Sequence, residues 1–350
     1  MTTTSSSSST TQGRSPAGLD ISASFATTLD TPEHIRIAEE LGFRRAWLYD
    51  TPQQSPDVWM TLALAAQRTH RIGLGPGVLV PALRHPMVNA SGAAALERLA
   101  PGRVAVAFGT GYTGRRAMGQ QPVSWAYMTR YVTAFRALLR GETVEWEGSP
   151  MRMLHTPEHP RGASDTIPVY IAAIGPKGTA IAESLGDGVF VVGIDGVSEE
   201  VTKKFGNVIY GTAGSVLGDG EDLSSERLRT AAGPALAQLF HISYELGGEE
   251  AVKALPGGPE WLAVVLETPE AERHFAVHHG HLLRLNDADT AAWNAGGNTL
   301  VGHTLTGTAG DVLARVKELA AQGVTELTYQ PAGDIRRELE AFADAVGLRG

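Results

Sequence analysis

Residues 168–188 read PVYIAAIGPKGTAIAESLGDG: an apolar run that breaks at Gly-Pro-Lys-Gly-Thr and resumes at helical spacing. A strand that opens directly into a helix leaves the first backbone N–H groups of that helix without carbonyl partners, an arrangement suited to an anion such as phosphate. The G-x-x-x-x-G-K-[ST] spacing of a P-loop is absent. A phosphorylated ligand is therefore the expectation here, and an ordinary strand-to-helix turn is the alternative.

Working outward, the same strand-then-helix unit repeats. LDISAS (19–24) precedes TPEHIRIAEELGF, in which Thr31 can cap, Pro32 suits the first helical position and Gly42 ends the helix. RAWLYD (45–50) precedes VWMTLALAAQRT (58–69); IGLGPGVLVP (72–81) precedes a helix around 89–102; VAVAFGTG (104–111) precedes one over 125–141. After a polar excursion containing VEWEG, the opening stretch forms the fifth unit and GVFVVG (188–193) the sixth strand. NVIYGTAGSVL (207–217) reads as a further strand, while 224–247 and 270–283 read as helices. The end returns to the pattern, with a helix in TAGDVLARVKELAAQG, the strand VTELTYQP (324–331) and a closing helix over 334–347. About eight such units predict an α/β fold, a (β/α)8 TIM barrel with a late insertion at about 200–300. An open doubly wound sheet is the competitor, but no G-x-G-x-x-G follows the first strand.

At 350 residues, one barrel domain over 18–350 accounts for the chain, and residues 1–17, rich in Ser and Thr, read as a disordered tail and not as a secretory signal. Hydrophobic residues make up 43% and charged residues 19%, which supports a sizeable core. The net charge of −9, without a basic block, argues against nucleic acid. No apolar run is long enough for a membrane helix. The absence of cysteine removes disulfides, thiol chemistry and iron–sulfur clusters, and fits a cytoplasmic location; redox chemistry needs a borrowed cofactor.

In a barrel the site gathers at the C-terminal ends of the strands, which selects Ser24, Asp50, 75–80, Gly109 to Tyr112 and Gly175 to Thr179. Asp50 before Thr51-Pro52 can equally start a turn. The glycines of GLGPGVLVP remove side chains where a flat ligand can lie, or else mark a β-bulge. Gly109, Thr110 and Gly111 end a strand in small residues before Tyr112, with Arg115 and Arg116 available for an anion or simply solvated. Gly175, Pro176, Lys177, Gly178 and Thr179 combine helix N-terminal amides, a point charge and a hydroxyl. His274, His278 and His281 fall on one face of a helix, with His279 beside them; the spacing can hold a metal, but no carboxylate is built in as in H-E-x-x-H, so a substrate-side or structural role is preferred and no metal is expected. Trp47, Trp59 and Trp125 read as packing, with Trp125 placed to line a pocket mouth.

These pieces together resemble the bacterial luciferase-like flavin and deazaflavin oxidoreductases from Leu19 to the C-terminus. The resemblance rests on AWLYDTP, RIGLGPGVLVPALRHPMV, ERLAPGRVAVAFGTG, PVYIAAIGPKGTAIAESLGDGVFV and TAGDVLARVKELAAQGVTELTYQ, in that order. The phosphate-loop strand looks most like the F420-dependent branch, which includes methylenetetrahydromethanopterin reductase and glucose-6-phosphate dehydrogenase. The resemblance implies that Gly175 to Thr179 hold the cofactor phosphate and that Gly77–Val78 is a non-prolyl cis peptide against its ring; Asp50, Gly109, Thr110, Gly111 and Ala173 are expected to line the cofactor with them. The sequence also departs from the sugar-phosphate dehydrogenases, whose aspartate–histidine pair and glutamate are matched here by Asp50, Thr51 and Tyr112; that particular activity is therefore not expected.

The expectation is hydride transfer between reduced coenzyme F420 and an electron-poor C=C or C=N bond of a small molecule, with Tyr112, Asp50, His278 or His281 supplying the proton. The alternatives are an FMN-dependent monooxygenase served by a separate reductase, a phosphate-binding lyase or isomerase, and a flavin-sequestering protein. Apolar helices at 58–69 and 89–100 are placed to pack a homodimer.

Overall fold

The computed structural model describes residues 13–156, 164–192 and 196–349. Eight parallel strands form its main sheet: β1 (Asp20–Phe25), β2 (Arg45–Leu48), β3 (Gly73–Pro76), β4 (Val106–Phe108), β5 (Val169–Ala172), β6 (Gly188–Val192), β7 (Val208–Ala213) and β8 (Glu326–Gln330). Their neighbour order is β3-β2-β1-β8-β7-β6-β5-β4. The two outermost strands then meet: Leu74 bridges Val104 and Leu79 bridges Phe108, both in parallel register. The Leu79 N–H donates to the Ala107 carbonyl at 2.7 Å, and the Gly109 N–H to the Leu79 carbonyl at 2.9 Å. The sheet closes on itself and leaves no open edge, so the expected (β/α)8 barrel is the fold.

Alternation along each strand separates two layers. On β2, Ala46 and Leu48 face the helices and join the outer core, while Trp47 points into the barrel. There it meets Tyr170 and Phe190 edge-to-face, at 5.9 and 5.6 Å between ring centres, and its indole N–H donates to Glu326 Oε1 at 2.9 Å. A fully buried indole with a satisfied N–H plugs the interior. The outer helices are set by local signals. Val58–Arg68 starts at Asp57, whose carboxylate accepts the N–H groups of Trp59 and Met60, a cap that contributes about 1 kcal/mol. Thr31 does not cap the first helix, Thr31–Glu40: the cap position is Asp30, and the Thr31 hydroxyl instead donates to the Ala26 carbonyl at 2.6 Å.

Four boundaries differ from the sequence expectations. Residues 13–17, assigned to the tail, pair with β1 through an Arg14–Asp20 bridge and an Ile21 N–H to Gly13 carbonyl bond of 2.7 Å; residues 1–12 lie outside the described residues. The VEWEG excursion is an antiparallel hairpin, Val144–Trp146 with Ser149–Met151. Val208–Ala213 belongs to the barrel, so the insertion starts after it and not at 200. The helix expected over 270–283 stops at His278, because Gly280 takes a left-handed φ of 69° and the chain turns.

The insertion has its own apolar centre, built from Leu236 and Phe240 of the helix Glu226–Lys253, Trp261 and Val265 of Gly258–Leu266, and Ala292 of Asp287–Asn294. It is joined to the barrel at its start by Arg227, which donates to Glu338 Oε1 at 2.7 Å and to the Ser215 hydroxyl at 2.9 Å.

Candidate active site

Between its two bridges to β4, the chain advances five residues from Leu74 to Leu79, against four from Val104 to Phe108. The extra residue is a bulge. The Gly77–Val78 peptide within it is cis, as the resemblance implied. The glycines beside it serve the barrel, and this corrects the reading that they clear a surface for a ligand. A Cβ on Gly75 would stand 1.9 Å from the Ala105 carbonyl oxygen, and one on Gly77 would stand 2.9 Å from the Trp47 ring. What the bulge presents to the mouth is Val78, partly exposed, with Ala172 also at the top of the interior cluster.

Gly109 lies between these two side chains: a Cβ there would meet Val78 Cγ2 at 2.6 Å and Ala172 Cβ at 3.6 Å. It forms a low floor joining the tops of β3, β4 and β5. Thr110 follows, and Gly111, at φ 79°, starts the five-residue helix Tyr112–Arg116. The Tyr112 phenol oxygen is buried and has no hydrogen-bond partner among the described residues. Burial, with the Glu245 carboxylate nearby, pushes its pKa up to about 12, so the phenol keeps its proton at neutral pH. The Arg116 guanidinium lies 4.8 Å from the centre of the Tyr112 ring and 3.3 Å from Glu245 Oε2, while Arg115 donates to the Gln121 carbonyl. Both arginines are thus committed within the protein, contrary to the suggestion that they meet an anion.

Asp50 is buried at the end of β2. Both of its oxygens accept from Arg84 Nη1, at 2.6 and 2.7 Å, and Oδ2 also faces the Val80 N–H at 3.3 Å. Burial pushes the carboxyl upward while the Arg84 guanidinium pulls it back; with both oxygens engaged, the ion pair is the form the geometry supports. Arg84 also binds Asp57 Oδ2 at 2.6 Å, which ties the β3 loop to the cap of the next helix. Asp50 is placed as an orienting group.

At the end of β5, Ala173 is buried, and Ile174, Gly175, Pro176 and Lys177 are exposed on the rim. Gly175 precedes the helix Pro176–Leu185 with no side-chain cap, and a Cβ on it would meet nothing within 4 Å. The start of this helix is therefore uncapped and open at Gly175, beside the exposed Lys177. Two of the expected phosphate residues point elsewhere. Gly178 is covered by Trp125, whose ring would lie 2.5 Å from a Cβ there, and the Thr179 hydroxyl donates back to the Gly175 carbonyl at 3.0 Å.

The histidines assemble differently from the expected single face. His278 remains, but His274 lies against Phe275, and the third member is His241 from the helix Glu226–Lys253. His241 Nε2 is 3.0 Å from Asp289 Oδ1 and its Nδ1 is 3.0 Å from His281 Nδ1. His278 Nε2 is 2.5 Å from Glu245 Oε1. Burial holds His278 below the usual imidazole range and His281 well below it, so both are neutral near pH 7. Glu245 thus connects His278 with Arg116 and Tyr112 at the rim. Neither Glu245 nor His241 was singled out from the sequence, although their i, i+4 spacing puts both on one helix face, and that was the signal available.

Comparison with known proteins places this architecture. Residues 4–326 match the family described as luciferase-like monooxygenase. The chain belongs to that family. It is 30% identical over 172 residues to a 5,10-methylenetetrahydromethanopterin reductase of Methanolobus tindarius, covering 47% of this chain and 50% of that one. It is 34% identical over 172 residues to an F420-dependent glucose-6-phosphate dehydrogenase of Intrasporangium calvum, covering 45% and 51%. The chain spans about half the length of the curated relatives it matches. The fold is shared with the coenzyme F420-dependent tetrahydromethanopterin reductase of Methanopyrus kandleri, at a TM-score of 0.64 and 20% identity over 93% of this chain and 98% of that one. Among the described residues, no helix is long and apolar enough to cross a membrane.

Proposed function

We propose that this chain is a coenzyme F420-dependent oxidoreductase that reduces an electron-poor C=C or C=N bond of a small organic substrate. One observation carries the reading: an uncapped, exposed helix start at Gly175 shares a barrel rim with the Gly77–Val78 bulge, and Gly109 forms the floor between them. The F420-dependent relatives support the same choice of cofactor.

The residues present fit such a group. The uncapped helix start at Gly175 and the exposed Lys177, with its ammonium, suit its phosphate. Val78, Gly109 and Ala172 offer a shallow apolar bed, with Ile174, 73% exposed, at its edge; Ala173, expected to line the cofactor, is instead buried in the helix-facing core. Asp50 holds the Val80–Arg84 loop in place beneath it, and Thr110 and Gly111 bring the chain round to Tyr112. Hydride for the acceptor carbon would come from the reduced deazaflavin held there. Tyr112, which keeps its proton beside a carboxylate, delivers that proton to the neighbouring atom of the reduced bond.

Fluorescence titration of the purified protein with F420 and with FMN tests the reading. Binding of F420 with turnover of an activated alkene or imine is expected. Preference for FMN with oxygen uptake would replace it with the monooxygenase reading, and binding of neither would remove both.

We further propose a homodimer built on the helices Val58–Arg68 and Pro86–Leu99, where Met60 is 70%, Val88 53% and Leu99 47% exposed. Met60→Glu with Val88→Glu is expected to yield monomers in sedimentation velocity. An unchanged sedimentation coefficient would remove the dimer assignment.

A further inference from the structure

Three histidines from separate segments converge where the insertion meets the rim. His241 comes from the helix Glu226–Lys253, His278 ends Arg273–His278, and His281 follows on a turn that Gly280 and Leu282 hold at φ 69° and 65°. One ring nitrogen from each lies within 4.8 Å of the other two.

The outer nitrogens determine the tautomers. Asp289 Oδ1 accepts from the Trp261 indole at 2.9 Å and faces His241 Nε2 at 3.0 Å, while its Oδ2 accepts the Asn286 N–H at 3.2 Å. A carboxylate in that position accepts, so His241 carries its proton on Nε2 and presents the Nδ1 lone pair inward. Glu245 does the same for His278: Nε2–H points at Oε1, and Nδ1 is left with a lone pair. That Nδ1 is buried with no partner among the described residues, on a side chain 4% exposed. A buried acceptor without a donor is destabilising, so it needs an explanation. Inward lone pairs on imidazoles whose far nitrogens donate to carboxylates are the arrangement that metal-ligating histidines adopt.

We propose that His241, His278 and His281 form a three-histidine site for a divalent transition metal, with Zn2+ as the reference ion and the fourth position taken by water. Zinc–nitrogen bonds of about 2.0–2.1 Å in a tetrahedron set the nitrogens about 3.4 Å apart. The His241–His281 pair already stands at 3.0 Å, and since no pair is more than 4.8 Å apart, at most about 1.4 Å has to close. The proton that His281 Nδ1 shares with His241 Nδ1 moves to His281 Nε2, so all three rings bind as neutral ligands and the ion keeps its two positive charges. Asp289 and Glu245 are outer-shell carboxylates that offset that charge. Because Glu245 also holds Arg116, the ion would fix the insertion against the helix that carries Tyr112.

The test uses the full chain, stripped with chelator and titrated with Zn2+ by calorimetry, and with Co2+ by visible absorption, in the absence of organic cofactor. One ion per chain and the intense visible bands of tetrahedral cobalt are expected. His281→Gln, on the turn after Gly280 and checked by circular dichroism to be folded, is expected to lose the cobalt bands and to weaken Zn2+ binding more than about 100-fold. Glu245→Gln is expected to weaken it about 10-fold. His303→Ala, outside the three-histidine group, should bind as the parent does. No Zn2+ or Co2+ binding by the parent, or binding unaffected by His281→Gln in a folded protein, overturns the proposal. Because the titration contains no F420, its outcome is independent of the cofactor reading.

Discussion

Val78 occupies the space that a side chain on Gly109 would take: a Cβ there would stand 2.6 Å from Val78 Cγ2. The cofactor bed is therefore level because two strands were fitted to each other. Gly109→Ala should push Val78 outward into the bed and cost about 1–3 kcal/mol of stability through overpacking. A rise of about 10-fold or more in the F420 dissociation constant is expected by fluorescence titration; unchanged affinity would mean that the ring lies elsewhere.

Tyr112 offers the clearest separation of binding from chemistry. Tyr112→Phe removes one buried oxygen and leaves the ring under the Arg116 guanidinium. General acid catalysis contributes about 100- to 10,000-fold, so kcat should fall within that range while the cofactor affinity stays constant. A kcat close to that of the parent enzyme would transfer the proton step to another group.

The Asp50–Arg84 pair is almost enclosed, with side-chain exposures of 1% and 12%. Arg84→Met strands a buried carboxylate, and breaking such a pair costs about 3–5 kcal/mol. Urea unfolding should register the loss, and Asp50→Asn on the same background should recover part of it. A double variant no more stable than Arg84→Met would show that the carboxylate was not the source.

Acid should loosen the root of the insertion. Hydrogen bonding to Arg227 pulls the Glu221 carboxyl from its ordinary 4.5 down to about 2, with the Gly218 N–H and the Ser225 hydroxyl adding to it against burial. A depressed folded pKa means that this contribution is fully present above about pH 4.5 and is lost as the pH falls toward 2. Melting temperatures across that window should fall less steeply for Glu221→Gln than for the parent, and parallel curves would contradict the linkage.

The barrel was legible because parallel strands buried on both faces read as short apolar runs, and each was followed by a stretch at helical spacing with its own stop signal. The insertion was harder to read. Its longest helix carries Pro234 and is kinked at Gly248, where φ is 68°; the expectation of 224–247 matches the part before the kink and misses the continuation to Lys253. The histidine segment misled for a related reason: the spacing of 274, 278 and 281 assumed one continuous helix, and Gly280 ended it. The glycines of β3 were visible, but their use was not, since what fills the space beside Gly77 is Trp47, on a neighbouring strand.

Local chemistry, carried by the order of residues, was enough to determine the closed α/β architecture, the bare helix start after β5 and the small residues at the strand ends. Tertiary packing decided the rest. It turned Arg84 onto Asp50, set Glu245 between Tyr112 and His278, and brought His241 to His281 across 40 residues. Such pairings depend on distances set when separate elements dock, and spacing along the chain carries no information about which distant side chains a folded surface will bring face to face.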